Sequence, residues 1–217
     1  MRATIAPIAL LLTVSAAPAH AENRHELWIG GSARALRSPS ANALTDRNLG
    51  GASLGVARDL GISLVPGGGI WLEAGLTTGT AEGTMFQSLS TELATLDVTG
   101  GLRARYPLHR LIAASVRVDL GAQRVQLDIA GNGTTASDTS WGPVASAGAA
   151  LDLFAKASAP FGFGLRLELG YVVAPGLTVN PHRSVPDDML TLAMTDFALG
   201  KLDLGGPTFA ASFVGQF

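Results

Sequence analysis

Apolar and polar residues alternate one by one along four segments of this chain, and a period of two predicts β-strands. In residues 111–123, Val116 and Val118 fall on one face while Arg117 and Asp119 fall on the other. The four segments are residues 69–80, 91–105, 111–123 and 161–173. Each has one apolar face and one face with at least one charge, so each strand is expected to separate lipid from a polar interior.

Four further segments alternate less sharply because their faces are rich in glycine and alanine. They are residues 26–36, 49–58, 142–155 and 203–217. Together the segments predict eight strands, an even number that suits a bacterial barrel. Pro143 is expected at the start of its strand, since proline cannot donate to the ladder. Residues 59–64 and 189–199 could extend strands or add a hairpin, which makes ten strands the alternative.

The connections between these segments are long at one end and short at the other. The long polar connections are residues 37–48, 81–90, 124–141 and 174–202, and the short turns are 59–68, 106–110 and 156–160. Transmembrane barrels have long extracellular loops and short periplasmic turns. The predicted fold is therefore all-β, a closed antiparallel up-and-down transmembrane β-barrel.

The N-terminus predicts export. A positive start at residues 1–2 and an apolar stretch at residues 3–17 precede the small residues Ala19 and Ala21, which fit a cleavage site. We expect a cleaved signal peptide at residues 1–21 and a barrel domain at residues 22–217.

Composition supports a membrane barrel and excludes several other classes. Charged residues make up 15% of the chain, below the usual 25% or so, while 47% of residues are apolar and the mean hydropathy is +0.31. The net charge of -2 gives no reason to expect nucleic acid as a partner. Cysteine is absent, and His25, His109 and His182 are far apart in sequence, so neither a metal site nor another cofactor is predicted.

The C-terminal segment ends on an aromatic residue, with Phe209, Phe213 and Phe217 on one face. It resembles the signal by which outer-membrane barrels are recognised for assembly. With the alternating segments and the unequal connections, the chain resembles the small eight-stranded outer-membrane barrels, the class of OmpX and the transmembrane part of OmpA, across residues 22–217. The resemblance implies an outer-membrane location, contact with outer-membrane lipids and the barrel-assembly machinery, and a monomer.

Charges on the polar faces form the candidate site. In an eight-stranded barrel the interior is just wide enough for side chains to fill it. Buried charges are costly unless they are paired, so we expect ion pairs across the lumen that leave at most a small or gated conductance. These predicted lumen residues are Glu73, Asp97, Arg103, Arg105, Arg117, Asp119, Asp152, Arg166 and Glu168.

Three other functions are compatible with the same chain. A soluble lipocalin-like barrel also alternates but places its apolar side chains inside. The spacing of His182 and Ser184 is similar to that of the outer-membrane lipid A deacylases, which would make the protein an esterase. A surface loop with a short capped helix explains the same residues without catalysis. Finally, the long outer loops, above all residues 174–202, could bind a surface ligand. The main expectation is a non-enzymatic barrel with a structural, surface-interaction or minor conductance role.

Overall fold

The computed structural model describes residues 25–45, 47–63, 68–85, 89–131, 134–158, 161–183 and 201–217. Within these ranges, no helix is both long and apolar enough to cross a membrane. The expected signal peptide, residues 1–21, lies outside the described residues.

The described residues form eight long strands, three two-residue strands and one short helix. The long strands are β1 (His25–Ala35), β2 (Asn48–Ile62), β3 (Gly69–Met85), β4 (Leu89–His109), β5 (Ile112–Gly131), β6 (Thr134–Ser158), β7 (Phe161–Val173) and β11 (Gly206–Gln216). The two-residue strands are β8 (Leu177–Thr178), β9 (His182–Arg183) and β10 (Lys201–Leu202), and the helix α1 is Pro39–Leu44.

The eight long strands close into a ring in which every pairing is antiparallel. Strands β1 to β7 pair in chain order, β7 pairs with β11, and β11 returns to β1. The predicted eight-stranded closed barrel is confirmed, and the ring of described strands leaves no place for ten. Residues 59–62 extend β2, whereas residues 189–199 lie outside the described residues. The short strands stay outside the ring, because β9 pairs with the outer part of β6 while β8 and β10 pair with each other.

The register of the ring sets the tilt of the strands. A path across paired residues that leaves β5 at Gln123 returns to β5 at Ala113, a stagger of 10 residues. The path passes through Asp97, Thr77, Ser53, Gly30, Ser212, Arg166 and Asp152. With strands about 4.7 Å apart and about 3.3 Å per residue, this stagger tilts the strands by roughly 40° from the barrel axis.

The outward faces form an apolar band around the barrel. Leu120, Leu169 and Phe213 are 67%, 67% and 70% exposed, and the residues that pair with them on neighbouring strands are small or apolar. Arg58 on β2 and Arg124 on β5 are the outward charges that border this band in the described strands. The register and tilt place them about 25 Å apart along the axis, the expected height of a lipid-facing band.

Two predicted loops are wrong. Residues 81–85, 89–90, 124–131 and 134–141 instead continue β3, β4, β5 and β6 beyond the apolar band, while the residues between these ranges lie outside the described part of the chain. We call this extension the rim: residues 81–85, 89–94, 125–131 and 134–142. In the rim the alternation persists but its sense inverts, since Val125 and Leu127 are fully buried inside while Asp128 faces outward. Polar residues on the outer face made these strands resemble loops.

Pro143 lies inside β6 and not at its start, so that expectation is also wrong. It pairs with Ala122 on β5, but β7 pairs with β6 only from Ala145 onward. The backbone nitrogen of Pro143 therefore needs no ladder partner on the β7 side, where the sheet has an edge. Proline is tolerated in a strand at such an edge.

Candidate functional site: the interior of the barrel

The structure places all nine predicted lumen charges inside the barrel and joins them into ion pairs. Two residues that the sequence reasoning did not select, Glu26 and Arg34, belong to the same set. The interior of the described barrel thus carries six carboxylates and five guanidinium groups in these pairs. The carboxylates are Glu26, Glu73, Asp97, Asp119, Asp152 and Glu168, and the guanidinium groups are those of Arg34, Arg103, Arg105, Arg117 and Arg166.

The lowest group of charges is centred on Arg166, near the end of the barrel where β1 begins and β11 ends. Its Nε lies 2.7 Å from Asp152 Oδ1, and its Nη2 lies 2.7 Å from Glu26 Oε1. Arg103 Nη2 lies 2.6 Å from the same Glu26 oxygen, and Arg105 Nε lies 3.6 Å from Asp152 Oδ2. Both carboxylates are fully buried, so each is held between two arginines and away from water.

Aromatic rings surround this lower group. The guanidinium carbon of Arg103 lies 5.5 Å from the Trp71 ring centroid and 5.9 Å from that of Trp28, and Arg105 lies 5.0 Å from Phe154. Such cation–π contacts stabilise a desolvated arginine. Gly55 makes room for the Trp28 ring, because a Cβ there would lie only 2.1 Å from Trp28 Cζ2. The rings fill the space that the charges leave, and this end of the lumen is closely packed.

The middle group is centred on Arg117, which contacts three carboxylates from three other positions on the wall. Its Nη2 lies 2.6 Å from Glu168 Oε1, while Nη1 lies 3.3 Å from Asp119 Oδ2 and 3.5 Å from Glu73 Oε1. The Ser146 hydroxyl donates to Asp119 Oδ2 at 3.1 Å. One arginine therefore ties β3, β5 and β7 together across the lumen.

The upper group is the ion pair between Arg34 and Asp97, supported by Gln123. The amide of Gln123 donates to Asp97 Oδ1 at 2.7 Å. Gln123 is fully buried. Glu26 is 1% exposed, and the amide of its buried partner Gln216 donates to Glu26 Oε2 at 3.0 Å. The parity of residues 26–36 could have revealed Glu26 and Arg34, because both share a face with Trp28. The small residues at positions 30–33 weaken the alternation of this segment and obscure its polar face.

An apolar cluster closes the outer end of the lumen. We call it the plug: it combines inward residues of the rim and upper wall with α1 and the segments that flank β8 and β10. Its members are Leu36, Ala41, Leu44, Leu49, Ala81, Leu93, Val125, Leu127, Val144, Val172, Ala174, Val179, Leu202 and Leu204. The hydroxyl of Thr91 donates to the Leu44 carbonyl and fastens α1 to β4. A polar lumen alone was expected, so the plug is a finding of the structure.

A small chamber lies between the plug and the charges. Its volume is about 70 Å³, enough for a few water molecules. Hydroxyl groups of Ser32, Ser53, Thr77 and Thr95 line it, and Arg117 reaches its lower side. Among the described residues, the plug lies above the chamber and ion pairs lie below it.

The three aromatic residues of the expected assembly signal lie on or next to β11. Phe209 and Phe213 face outward, 48% and 70% exposed. Phe217 follows the strand, its backbone exchanges two 3.0 Å hydrogen bonds with His25, and the two rings stack with centroids 5.7 Å apart. The last residue thus closes the ring against the first strand, while its role as a signal stays a prediction.

The structure describes only part of the remaining candidate chemistry. The backbone of His182 pairs with Ser137 as part of β9, whereas Ser184 lies outside the described residues. In the part of the chain that the structure describes, no group of three or more His, Cys, Asp or Glu side chains is arranged to hold a metal ion.

Known structures share this architecture. Ail, the attachment invasion locus protein of Yersinia pestis, is 13% identical, with 91% of this chain and 100% of Ail covered and a TM-score of 0.50. Neisserial surface protein A is 10% identical over 88% of this chain and 96% of that protein, with a TM-score of 0.49. No curated protein matches the sequence.

The comparison with models of protein families identifies one family for this chain. Residues 6–182 match the model of the outer membrane protein β-barrel domain, which covers most of the chain. The apolar band of about 25 Å is therefore the lipid-facing surface, and the alternative of a soluble lipocalin-like barrel is wrong. The chain belongs to the outer membrane protein β-barrel family, and its place is the cell outer membrane.

Proposed function

We propose that this protein is a surface-interaction scaffold whose rim binds a partner outside the cell and whose lumen does not conduct. The observation that carries the proposal is the continuation of four strands past the lipid-facing band. A wall that only had to cross the membrane could end at the band, as β1, β2, β7 and β11 do near its upper border.

The rim presents a polar sheet to the medium. Glu82 on β3 lies opposite Glu92 on β4, which lies opposite Asp128 on β5. All three face outward, while the inner side of the rim rests on the plug. The plug makes this sheet rigid, and a rigid scaffold suits binding because little order is lost when a partner docks. Ail is an attachment protein by its title, which is the same kind of role, although the likeness between Ail and this chain is one of fold.

The filled lumen argues against solute passage. A permeating solute would have to displace the plug, leave the 70 Å³ chamber and then break the ion pairs of Arg117 and Arg166. Leaving any of these charges buried without a partner is expected to cost several kcal/mol, about 3–5. In our proposal the lumen charges stabilise the wall and seal it.

Processing and assembly complete the proposal. We include cleavage after Ala21, recognition of Phe209, Phe213 and Phe217 by the barrel-assembly machinery, and a monomeric barrel. No catalytic step is part of it.

Two measurements on the full chain test the proposal together. In planar bilayers, the folded protein should give no steady current. In intact cells, a photo-crosslinking residue at outward Glu92 should form protein adducts that the same residue at lipid-facing Leu169 does not form. Steady currents that become larger in the Arg117→Ala variant would indicate solute passage and contradict the scaffold role. Equal adducts at both positions would remove the case for a binding rim.

A further inference from the structure

Arg124 occupies an unusual position on the outer wall. The described strands carry only a few outward-facing charges, and Arg124 stands where the lipid-facing band ends and the rim begins. Below it on the same face of β5, Ala122, Leu120 and Val118 are apolar; above it, Gln126 is polar. A guanidinium at this height reaches the layer in which the headgroups of the outer leaflet lie.

The neighbours of Arg124 are apolar. Across the sheet it pairs with Leu96 on β4 and with Trp141 on β6, and Trp141 is 56% exposed on the same outward face. Tryptophan favours the boundary between lipid and water. Arg124 and Trp141 therefore form one surface with a cationic part and an aromatic part.

Among the described residues, Arg124 has no ion-pair or hydrogen-bond partner. The next outward carboxylate along β5, that of Asp128, accepts a 2.9 Å hydrogen bond from the Gln126 amide instead. Every lumen arginine, by contrast, is paired. An arginine that faces the headgroup layer with its five donors unused is suited to a phosphate, which guanidinium groups bind in a bidentate manner.

We propose that Arg124 and Trp141 bind a phosphate-bearing glycolipid of the outer leaflet, lipid A in its chemistry, with the guanidinium on the phosphate and the indole beside the sugar. Arg58 marks the opposite border of the band and is the natural comparison. It lies between His25 and Leu72, so it has no indole beside it. The inference stands apart from the binding role of the rim, because it concerns contact with the membrane itself.

The experiment uses the full chain, folded in phosphatidylcholine nanodiscs, and counts retained lipid A by native mass spectrometry. Bisphosphorylated and dephosphorylated lipid A are compared for the unmodified protein, Arg124→Gln and Arg58→Gln. We expect Arg124→Gln to weaken retention of the bisphosphorylated form by about tenfold, the loss of one charge-assisted bidentate contact. Arg58→Gln should leave retention unchanged, and dephosphorylated lipid A should bind all three proteins equally weakly.

A second pair of measurements separates the lipid from free phosphate. Inorganic phosphate at about 10 mM should not displace lipid A, because free phosphate contacts Arg124 alone and has neither acyl chains nor a sugar beside Trp141. Trp141→Ala should also weaken the retention of bisphosphorylated lipid A. The heat-dependent gel shift should show that Trp141→Ala and Arg124→Gln remain folded. Displacement by inorganic phosphate would assign the site to a free anion and overturn the lipid. Equal losses in Arg124→Gln and Arg58→Gln would show a general attraction of border arginines and overturn the site.

Discussion

The wall inside the lipid-facing band and the wall in the rim are one continuous sheet with opposite sense. Along β5, Val118 and Leu120 face outward and Arg117 and Asp119 face inward, but farther along the same strand Val125 and Leu127 face inward. The pleat of the sheet is the same in both regions, but the medium around the sheet differs. Lipid surrounds the lower part and water the upper part, so apolar side chains face out below and in above.

Removal of one central lumen charge should have the largest effect on this arrangement. Arg166→Met leaves Glu26 without one of its two arginines and Asp152 with only the longer contact to Arg105. A buried carboxylate without its partner is expected to lower the free energy of unfolding by about 3–5 kcal/mol. Urea unfolding in lipid vesicles, followed by the heat-dependent gel shift, measures the loss.

The matched control also removes one carboxylate that Arg166→Met leaves without its arginine. Arg166→Met combined with Asp152→Asn should recover part of the lost stability, because fewer buried charges then lack a partner. If the double variant is less stable than Arg166→Met alone, the pairs contribute through shape and not through charge.

The plug predicts a second difference between the two regions. Leu93 in the rim is 1% exposed and packed against protein, whereas Leu120 on the lipid-facing band is 67% exposed. Leu93→Ala leaves a cavity and should cost about 2–5 kcal/mol. At Leu120, lipid fills the space, and the alanine variant should lose only the transfer of the missing carbons, about 1–2 kcal/mol. Unfolding curves of the two variants under the same conditions check the order.

A lysine placed at two heights on one face tests the inversion directly. Val118→Lys puts a charge in the lipid-facing band and should cost about 2–4 kcal/mol, while Gln126→Lys on the same face of β5 lies in water and should change stability by less than about 0.5 kcal/mol. Equal costs at both positions would mean that lipid reaches the rim or that water reaches the band. The measurement is again unfolding from vesicles of fixed composition.

Alternation alone gave the eight strands, their order and the faces of the lipid-facing band. It succeeded because the alternation of neighbouring residues is enough to identify the face of a strand that meets lipid, such as the face of Leu120. It failed above Gln123, where outward Gln126 and Asp128 have the polarity of loop residues. The plug was missed for a related reason: α1 and Leu204 join it from distant parts of the chain, and no local pattern announces such contacts.

The interior charges divide in the same way. Charges on the four sharply alternating strands, and Asp152 on the weaker segment 142–155, could be predicted from their faces, whereas Glu26 and Arg34 lie on a strand whose middle positions, residues 30–33, are all small. The partners of each charge could not be chosen from sequence, because the strand order and the 10-residue stagger together decide which residues stand at the same height around the lumen. Arg117 on β5, for example, meets Glu168 on β7 although β6 lies between these two strands in the ring.

The smallest expected effect concerns the outer face of the rim. Glu82, Glu92 and Asp128 stand directly opposite one another on three neighbouring strands, and like charges in that position repel. Glu92→Gln removes the central charge and should stabilise the barrel by about 0.2–1 kcal/mol, with the gain shrinking as salt is added because the rim is in water. Thr84→Val, an outward substitution on the rim part of β3 without a charge change, controls for the altered surface. A loss of stability in Glu92→Gln at low salt would show that the three carboxylates are held together by something that compensates their repulsion.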